Sequence, residues 1–268
     1  MPDPLGTFEY TWRLWLAAPL IGYLLGSIPF GLILAGLAGL GDIRRIGSGN
    51  IGATNVLRTG NKPVALATLL LDGAKAGVPL AIAAAMYGQD FAVMTGIGAL
   101  LGHLYPIWLR LGTAREMARG VAVLLVLVAA FGLISAGGYG VRTGAGILLV
   151  VAVTPLGWGG KGVASALGCL IAIAWPVGLL VGASWLVTAA LFRYSSLAAL
   201  VSLALGPVYA YLIADYQTTE FVILVAVLVV IRHAANIGRL IRGQEAKIVL
   251  GRHADRSGGG ERSTARAE

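Results

Sequence analysis

The chain has 268 residues, 57% of them hydrophobic and only 12% charged, with 20 Lys and Arg against 12 Asp and Glu. Soluble domains carry about 25% charged residues, so a mean hydropathy of +0.83 excludes water as the only solvent. Cys169 is the lone cysteine. It excludes an intrachain disulfide framework and a Cys-rich metal site, and within its apolar run it reads as a buried, inert thiol.

The N-terminus carries Asp3 and Glu9 and no basic cluster before the first apolar run. That run is too long for a cleaved signal peptide and reads as a retained first span. Gly, Pro and charge breaks predict helices near 14–40, 63–87 and 91–109, then apolar runs near 120–138 and 144–157. The stretch 163–192 divides around Trp175-Pro176, because proline removes a backbone donor. The last runs lie near 196–214 and 221–236. The expected fold is therefore all-α, a polytopic membrane helical bundle of about nine spans, each near the ~20 residues that cross a hydrocarbon core. Segments 144–157 and 163–174 are short for a full crossing, so either can be re-entrant. Residues 1–250 read as one transmembrane domain. The Gly/Ser/Arg-rich tail 251–268 reads as disordered and suited to anionic headgroups, with no special role for His253.

Loop charge sets the direction. One side receives Arg44, Arg45, Arg58, Lys62, Arg110, Arg115, Arg119, Lys161, Arg193, Arg232, Arg239, Arg242 and the tail. The other receives Arg13 and Arg142 with Asp3, Glu9, Asp90, Asp215 and Glu220. The N-terminus is expected outside and the C-terminus in the cytoplasm. This distribution also removes nucleic acid as the reason for the basic excess.

Three polar clusters fall on the cytoplasmic side. In the first, 41–62, Gly47, Gly49 and Gly52 let backbone N–H groups approach an anion. Ser48, Asn50, Thr54 and Asn55 add neutral donors, and Arg58 a guanidinium suited to phosphate. No P-loop spacing is present, so a nucleotide has no specific support. The alternative is an ordinary Gly/Asn-rich loop with positive-inside charges. The second cluster, Trp158-Gly159-Gly160-Lys161-Gly162, opens a helix whose free amides and positive end favour an anion; a turn with one snorkelling lysine is the plainer reading. The third, Arg232 to Arg239, sets His233 and Asn236 on one helical face. The chain has four Asn; Asn50, Asn55 and Asn236 lie in these clusters, with Asn61 just beyond Arg58. Between the clusters, Asp72 and Lys75 read as an internal pair, and His103 as a hydrogen-bonded structural histidine.

Together these residues resemble the bacterial membrane acyl-phosphate:glycerol-3-phosphate acyltransferase family. The resemblance lies in GSIPFG at 26–31, GSGNIGATNVLR at 47–58, LDGAKAG at 71–77, GHLYP at 102–106, GGKGVAS at 159–165 and RHAANIGRLIRGQE at 232–245. It implies an inner-membrane enzyme of phospholipid synthesis that moves a fatty acyl group from a long-chain acyl phosphate to the 1-hydroxyl of glycerol 3-phosphate. The products would be lysophosphatidic acid and phosphate. No metal or organic cofactor is implied, because acyl phosphate is already activated. By resemblance, Ser48, Arg58 and Lys161 hold phosphate and stabilise developing charge. Gly47, Gly49, Asn50, Thr54, Asn55, Gly159, Gly160 and Gly162 complete the cradle. His233 and Asn236 sit beside the reacting groups, with either His233 or a substrate phosphate as base. Glu245 pairs with an arginine. The chain departs from the pattern at 111–157, where two apolar runs joined by 139–144 would add a hairpin to a seven-span plan. A transporter for a phosphorylated metabolite is the rival reading. Two others are a CDP-alcohol phosphotransferase, faintly suggested by Asp72-Gly73-Ala74-Lys75, and an inactive scaffold.

Overall fold

The computed structural model describes residues 8–109 and 159–248. Among them every regular element is helical: α1 (Phe8–Gly26), α2 (Phe30–Leu37), α3 (Ala53–Leu57), α4 (Lys62–Tyr87), α5 (Gln89–Leu104), α6 (Val163–Ile173), α7 (Trp175–Phe192), α8 (Ser195–Ile213), α9 (Tyr216–Arg232) and α10 (Ala234–Ile241). Five of these units are long and apolar enough to cross a membrane, with α1 and α2 counted together from Leu16 to Leu37. A sixth qualifies if α9 and α10, bent by 60°, form one span. The runs at 120–138 and 144–157 and the tail 251–268 lie outside the described residues.

Local sequence explains the boundaries. Asn61 caps α4 by accepting from the Val64 amide at 3.1 Å, with Pro63 in the first turn. Asp215 caps α9 through the Thr218 amide at 2.8 Å. Leu66, Leu70, Leu179, Leu186 and Leu212 are exposed, as lipid-facing residues must be. In lipid, helices associate through small residues that let backbones approach. A Cβ on Gly22 or Gly26 of α1 would overlap Thr95 or Ala99 of α5, and one on Gly168 of α6 would overlap the Gly73 backbone of α4.

Two expectations are corrected. The helix expected over 14–40 is two helices, because Pro29 lacks an N–H and disfavours the helical region for the residue before it. The break is tolerated because side chains satisfy its carbonyls. Ser27 Oγ donates to Tyr23 O at 2.7 Å, Trp108 Nε1 to Leu24 O at 3.2 Å, and Lys75 Nζ to Ile28 O at 2.7 Å. The helix expected over 221–236 instead stops at Arg232 and bends at His233, so His233 and Asn236 do not share one continuous helix. The division near Trp175-Pro176 is found: α7 folds back on α6, and a Cβ on Gly178 would come within 2.7 Å of the Ile171 backbone. Cys169 is fully buried in the core with Leu80, Leu100 and Phe221.

Contacts sort the loops to two ends. At one, Gln89 donates to Asp215 at 3.0 Å and Gln217 to Asp90 at 2.6 Å. At the other lie residues 38–61, 104–109, 159–162, 193–196 and 233–248, tied by Gly159 N–H to Leu104 O at 3.1 Å and Ile248 N–H to Arg193 O at 2.6 Å. This second end is recessed. Ser165 at the start of α6 donates to Asp72 O at 2.8 Å, and His103 at the end of α5 sits 3.8 Å from the Asp72 carboxylate. Lys75 reaches the break in the first span from the same level. Asp72 is about 15 Å inside the Lys62 end of α4, at ~1.5 Å per residue. The break, the end of α5 and the start of α6 thus form a floor well below the ends of α2 and α4.

Candidate active site

The loop 41–58 descends into this recess. A Cβ on Gly31, at the start of α2, would overlap the Ile51 carbonyl. The entry turn is held by Asp42, which accepts from the Arg44 amide at 3.0 Å and pairs with its guanidinium at 2.8 Å. Those hydrogen bonds hold the Asp42 carboxyl down at about 2, and they engage Arg44 locally. Gly47 and Gly49 have φ of +54° and +69°, the left-handed region that favours glycine. Between them Ser48 stands exposed at the crest. The Gly47 α-carbon lies against Arg58 and Asn55; a side chain there would come within 2.6 Å of the guanidinium.

Asn55 is buried and occupied at both ends. Its Nδ2 donates to Ile43 O at 2.6 Å, and its Oδ1 accepts from Arg58 Nη1 at 3.2 Å. It therefore sets the position of Arg58. Asn50 Oδ1 is buried with no hydrogen-bond partner among the described residues. Thr54 is exposed on α3.

The glycines at 159–162 serve close packing. Gly159 N–H donates to Leu104 O and Gly160 N–H to His103 O, both at 3.1 Å. Those two amides are thus engaged by carbonyls at the end of α5. Gly162, at φ +83°, turns the chain into α6, whose first-turn amides point back toward Lys161. Arg232 Nη2 closes the loop from the far side, donating to Gly159 O at 3.3 Å and Gly160 O at 3.4 Å. Burial is the largest influence on Lys161 and lowers its pKa to about 8; Glu245 opposes this, while Arg239, Arg58 and Arg232 push the same way. Those four groups are thus within electrostatic reach of Lys161.

His233, 2% exposed, sits at the bend between α9 and α10. Its Nδ1 is 2.7 Å from Val229 O. A carbonyl only accepts, so this geometry assigns the proton to Nδ1 and leaves the Nε2 lone pair available. Lys161, Glu245 and Arg232 are its charged neighbours. Glu245 ties the third cluster together. Its carboxylate accepts from Asn236 Nδ2 at 2.6 Å, Ser196 Oγ at 2.9 Å and Arg239 Nε at 2.7 Å. Burial pushes its pKa up, but these hydrogen bonds outweigh it and hold the carboxyl below the ordinary range.

Arg58, Lys161, His233 and Asn236 therefore converge around one recess, with Ser48 one residue from the glycine that packs on Arg58. Sequence reasoning placed Arg232 and Arg239 in the third cluster without a role and missed Ser196. Arg232 was open to discovery through its place beside His233; Ser196 carried no local signal.

A family model described as glycerol-3-phosphate acyltransferase matches residues 16–154 and 155–243. The chain belongs to the glycerol-3-phosphate acyltransferase family. A relative of that name from Rhodospirillum rubrum is 47% identical over 237 residues, covering 85% of this chain and 88% of its own. Another, from Paramagnetospirillum magneticum, is 45% identical over 233 residues, covering 87% and 93%. The fold is similar to the crystal structure of PlsY, an integral membrane glycerol 3-phosphate acyltransferase, in its glycerol 3-phosphate form. The TM-score is 0.66 at 30% identity, over 87% of this chain and 94% of that one. Its lysophosphatidic acid form gives 0.65 at 29% identity. The protein is accordingly an integral membrane acyltransferase, helical in every regular element of its described residues. In this acyltransferase Arg239, Arg58, Arg232 and the carboxylate of Glu245 gather around Lys161, a net positive recess as an anionic substrate requires.

Proposed function

We propose that the enzyme transfers a fatty acyl group from a long-chain acyl phosphate to the 1-hydroxyl of glycerol 3-phosphate, in the floor of the recess. The observation that carries this is the convergence of Lys161 and Arg58 from two distant loops. Both substrates are phosphate anions, and Arg58 grips by a planar fork where Lys161 acts as a movable point charge. Ser48 and Asn50 add neutral donors on the loop that leads to Arg58. Gly47 and Gly49 hold Ser48 at the crest, and Thr54 completes the loop's polar rim. Asn55 works through Arg58. Gly159, Gly160 and Gly162 shape the loop that presents Lys161, and Asn236 works through Glu245.

In the reaction the glycerol oxygen forms a bond to the acyl carbonyl carbon, the bond from that carbon to the phosphate oxygen breaks, and inorganic phosphate leaves. The hydroxyl proton passes to His233 Nε2 or to the departing phosphate. Activation resides in the anhydride, and the cations oppose the charge that builds on its oxygens.

Charge distribution supports a cytoplasmic site in the inner membrane, with the N-terminus outside, the C-terminus inside and about nine spans. The bond from Gly159 to Leu104 sets the residues on either side of the segment 110–158 at the same end of the bundle. The test is purified protein in detergent with acyl phosphate and labelled glycerol 3-phosphate. Lysophosphatidic acid is expected from acyl phosphate and not from acyl-CoA. Product from acyl-CoA alone would overturn the donor assignment, and loss of turnover without a sealed compartment would favour a carrier.

A further inference from the structure

We propose that His103 is a positioning residue for Lys161: its imidazole is the support against which the loop 159–162 is set. The inference rests on the reading that Lys161 grips a substrate phosphate.

His103 is 3% exposed in the last turn of α5, and the chemistry above makes no use of it. One edge of its ring faces the Asp72–Lys75 pair. Nδ1 is 3.8 Å from Asp72 Oδ1, which is 2.7 Å from Lys75 Nζ. Lys75 in turn holds Ile28 O, in the break of the first span, at 2.7 Å. The other edge faces the loop, where a Cβ added to Gly160 would overlap Nε2 and both adjacent ring carbons. The ring thus fills the space between a buried ion pair and the residue preceding Lys161.

The backbone of the same histidine completes the seat. Its carbonyl takes the Gly160 N–H and its neighbour Leu104 takes the Gly159 N–H, while Arg232 takes both glycine carbonyls. All four backbone polar groups of Gly159 and Gly160 are engaged, so the Lys161 backbone is anchored on its N-terminal side while its side chain stays half-buried. An ordinary core histidine needs only packing and a hydrogen bond. Contact with a glycine beside a binding lysine gives this one an effect on a ligand it does not touch. Displacing a binding group by about 1 Å can cost ~100-fold in rate, so a small shift of this loop is enough.

The test is steady-state kinetics of the purified enzyme, with acyl phosphate and glycerol 3-phosphate varied separately. Lys161→Ala identifies the phosphate substrate that the lysine grips, through its raised KM. His103→Ala is expected to raise the KM for that same substrate at least tenfold, with any fall in kcat no larger than that of Lys161→Ala. In a Lys161→Ala background it should change that KM less than twofold, because the group it positions is gone. Full additivity, or a rise confined to the other substrate, overturns the proposal. Normal KM and kcat values in Lys161→Ala remove the parent reading and the proposal with it, a separate outcome. A second arm covers a poorly folded His103→Ala. Gly160→Ala is expected to lower kcat/KM, and adding His103→Ser should recover at least fivefold by removing the overlap. No recovery also overturns the proposal.

Discussion

Lys161 makes activity depend on pH in a way opposite to its neighbours' permanence. Burial, reinforced by Arg239, Arg58 and Arg232 against the single attraction of Glu245, brings it to about 8. Only the charged ammonium attracts phosphate. The sign follows: binding is complete well below 8 and is lost as pH rises through it. At pH 7 about 90% of the free enzyme carries the charge and at pH 9 about 10%, from the protonation equilibrium alone. Phosphate monoesters lose their second proton near pH ~6, so the substrates change little in this window. Since kcat/KM reports groups of the free enzyme, it should fall about tenfold per unit above pH 8. The assay measures lysophosphatidic acid from pH 6.5 to 9.5 at constant ionic strength, with subsaturating glycerol 3-phosphate. Lys161→Arg is the control, because a guanidinium stays charged throughout. Its profile should lose the fall even if its absolute rate is lower. A flat profile in the unmodified enzyme, or the same fall in Lys161→Arg, would refute the reasoning.

Arg58→Ala removes a charge-assisted contact worth about 1.5–3 kcal/mol, so kcat/KM should drop at least tenfold; near-normal kinetics in a folded variant would take Arg58 out of the site. Gly168→Ala places a Cβ into the Gly73 backbone and should lower the melting temperature in detergent, by overpacking worth about 1–3 kcal/mol. Gly36→Ala, with nothing within 4 Å of its Cβ, should match or slightly exceed the unmodified protein. An Arg142→Cys label in a Cys169→Ser background should react with an impermeant thiol reagent on intact cells; reaction only after lysis would mean the 111–157 segment does not reach the outside.

Much of the fold was legible because its causes are local. Pro63 marks the start of α4 and Pro176 that of α7, each within a residue or two, whereas α9 starts at Tyr216, five residues before the expected 221, because Asp215 caps it there. Pro29 carried the same kind of signal, but 14–40 was read as one helix because its hydropathy runs unbroken across the proline. What repairs that break is distant: Lys75 and Trp108 close it from other helices. The bend at His233 was illegible for a related reason, since Arg232-His233-Ala234-Ala235-Asn236 contains no helix breaker.

The site divides in the same way. Sequence alone determined the residue types, their order and their concentration on one side of the alternating loops, because phosphate chemistry requires Arg, Lys and small polar donors and membranes sort charge by side. It also supplied the motifs that carry the family resemblance. The tertiary structure decided which of those groups are available to a ligand. The amides of Gly159 and Gly160 had looked like anion donors, yet they bond to His103 and Leu104; Asn55 is engaged by Ile43 and Arg58, and Asn236 by Glu245. It also decided depth, by ending α5 and starting α6 at the level of Asp72. The physical reason is that a hydrogen bond holds one specific partner at a fixed distance. Spacing along a chain states what a group can donate or accept, and only packing between helices remote in sequence states which partner it meets.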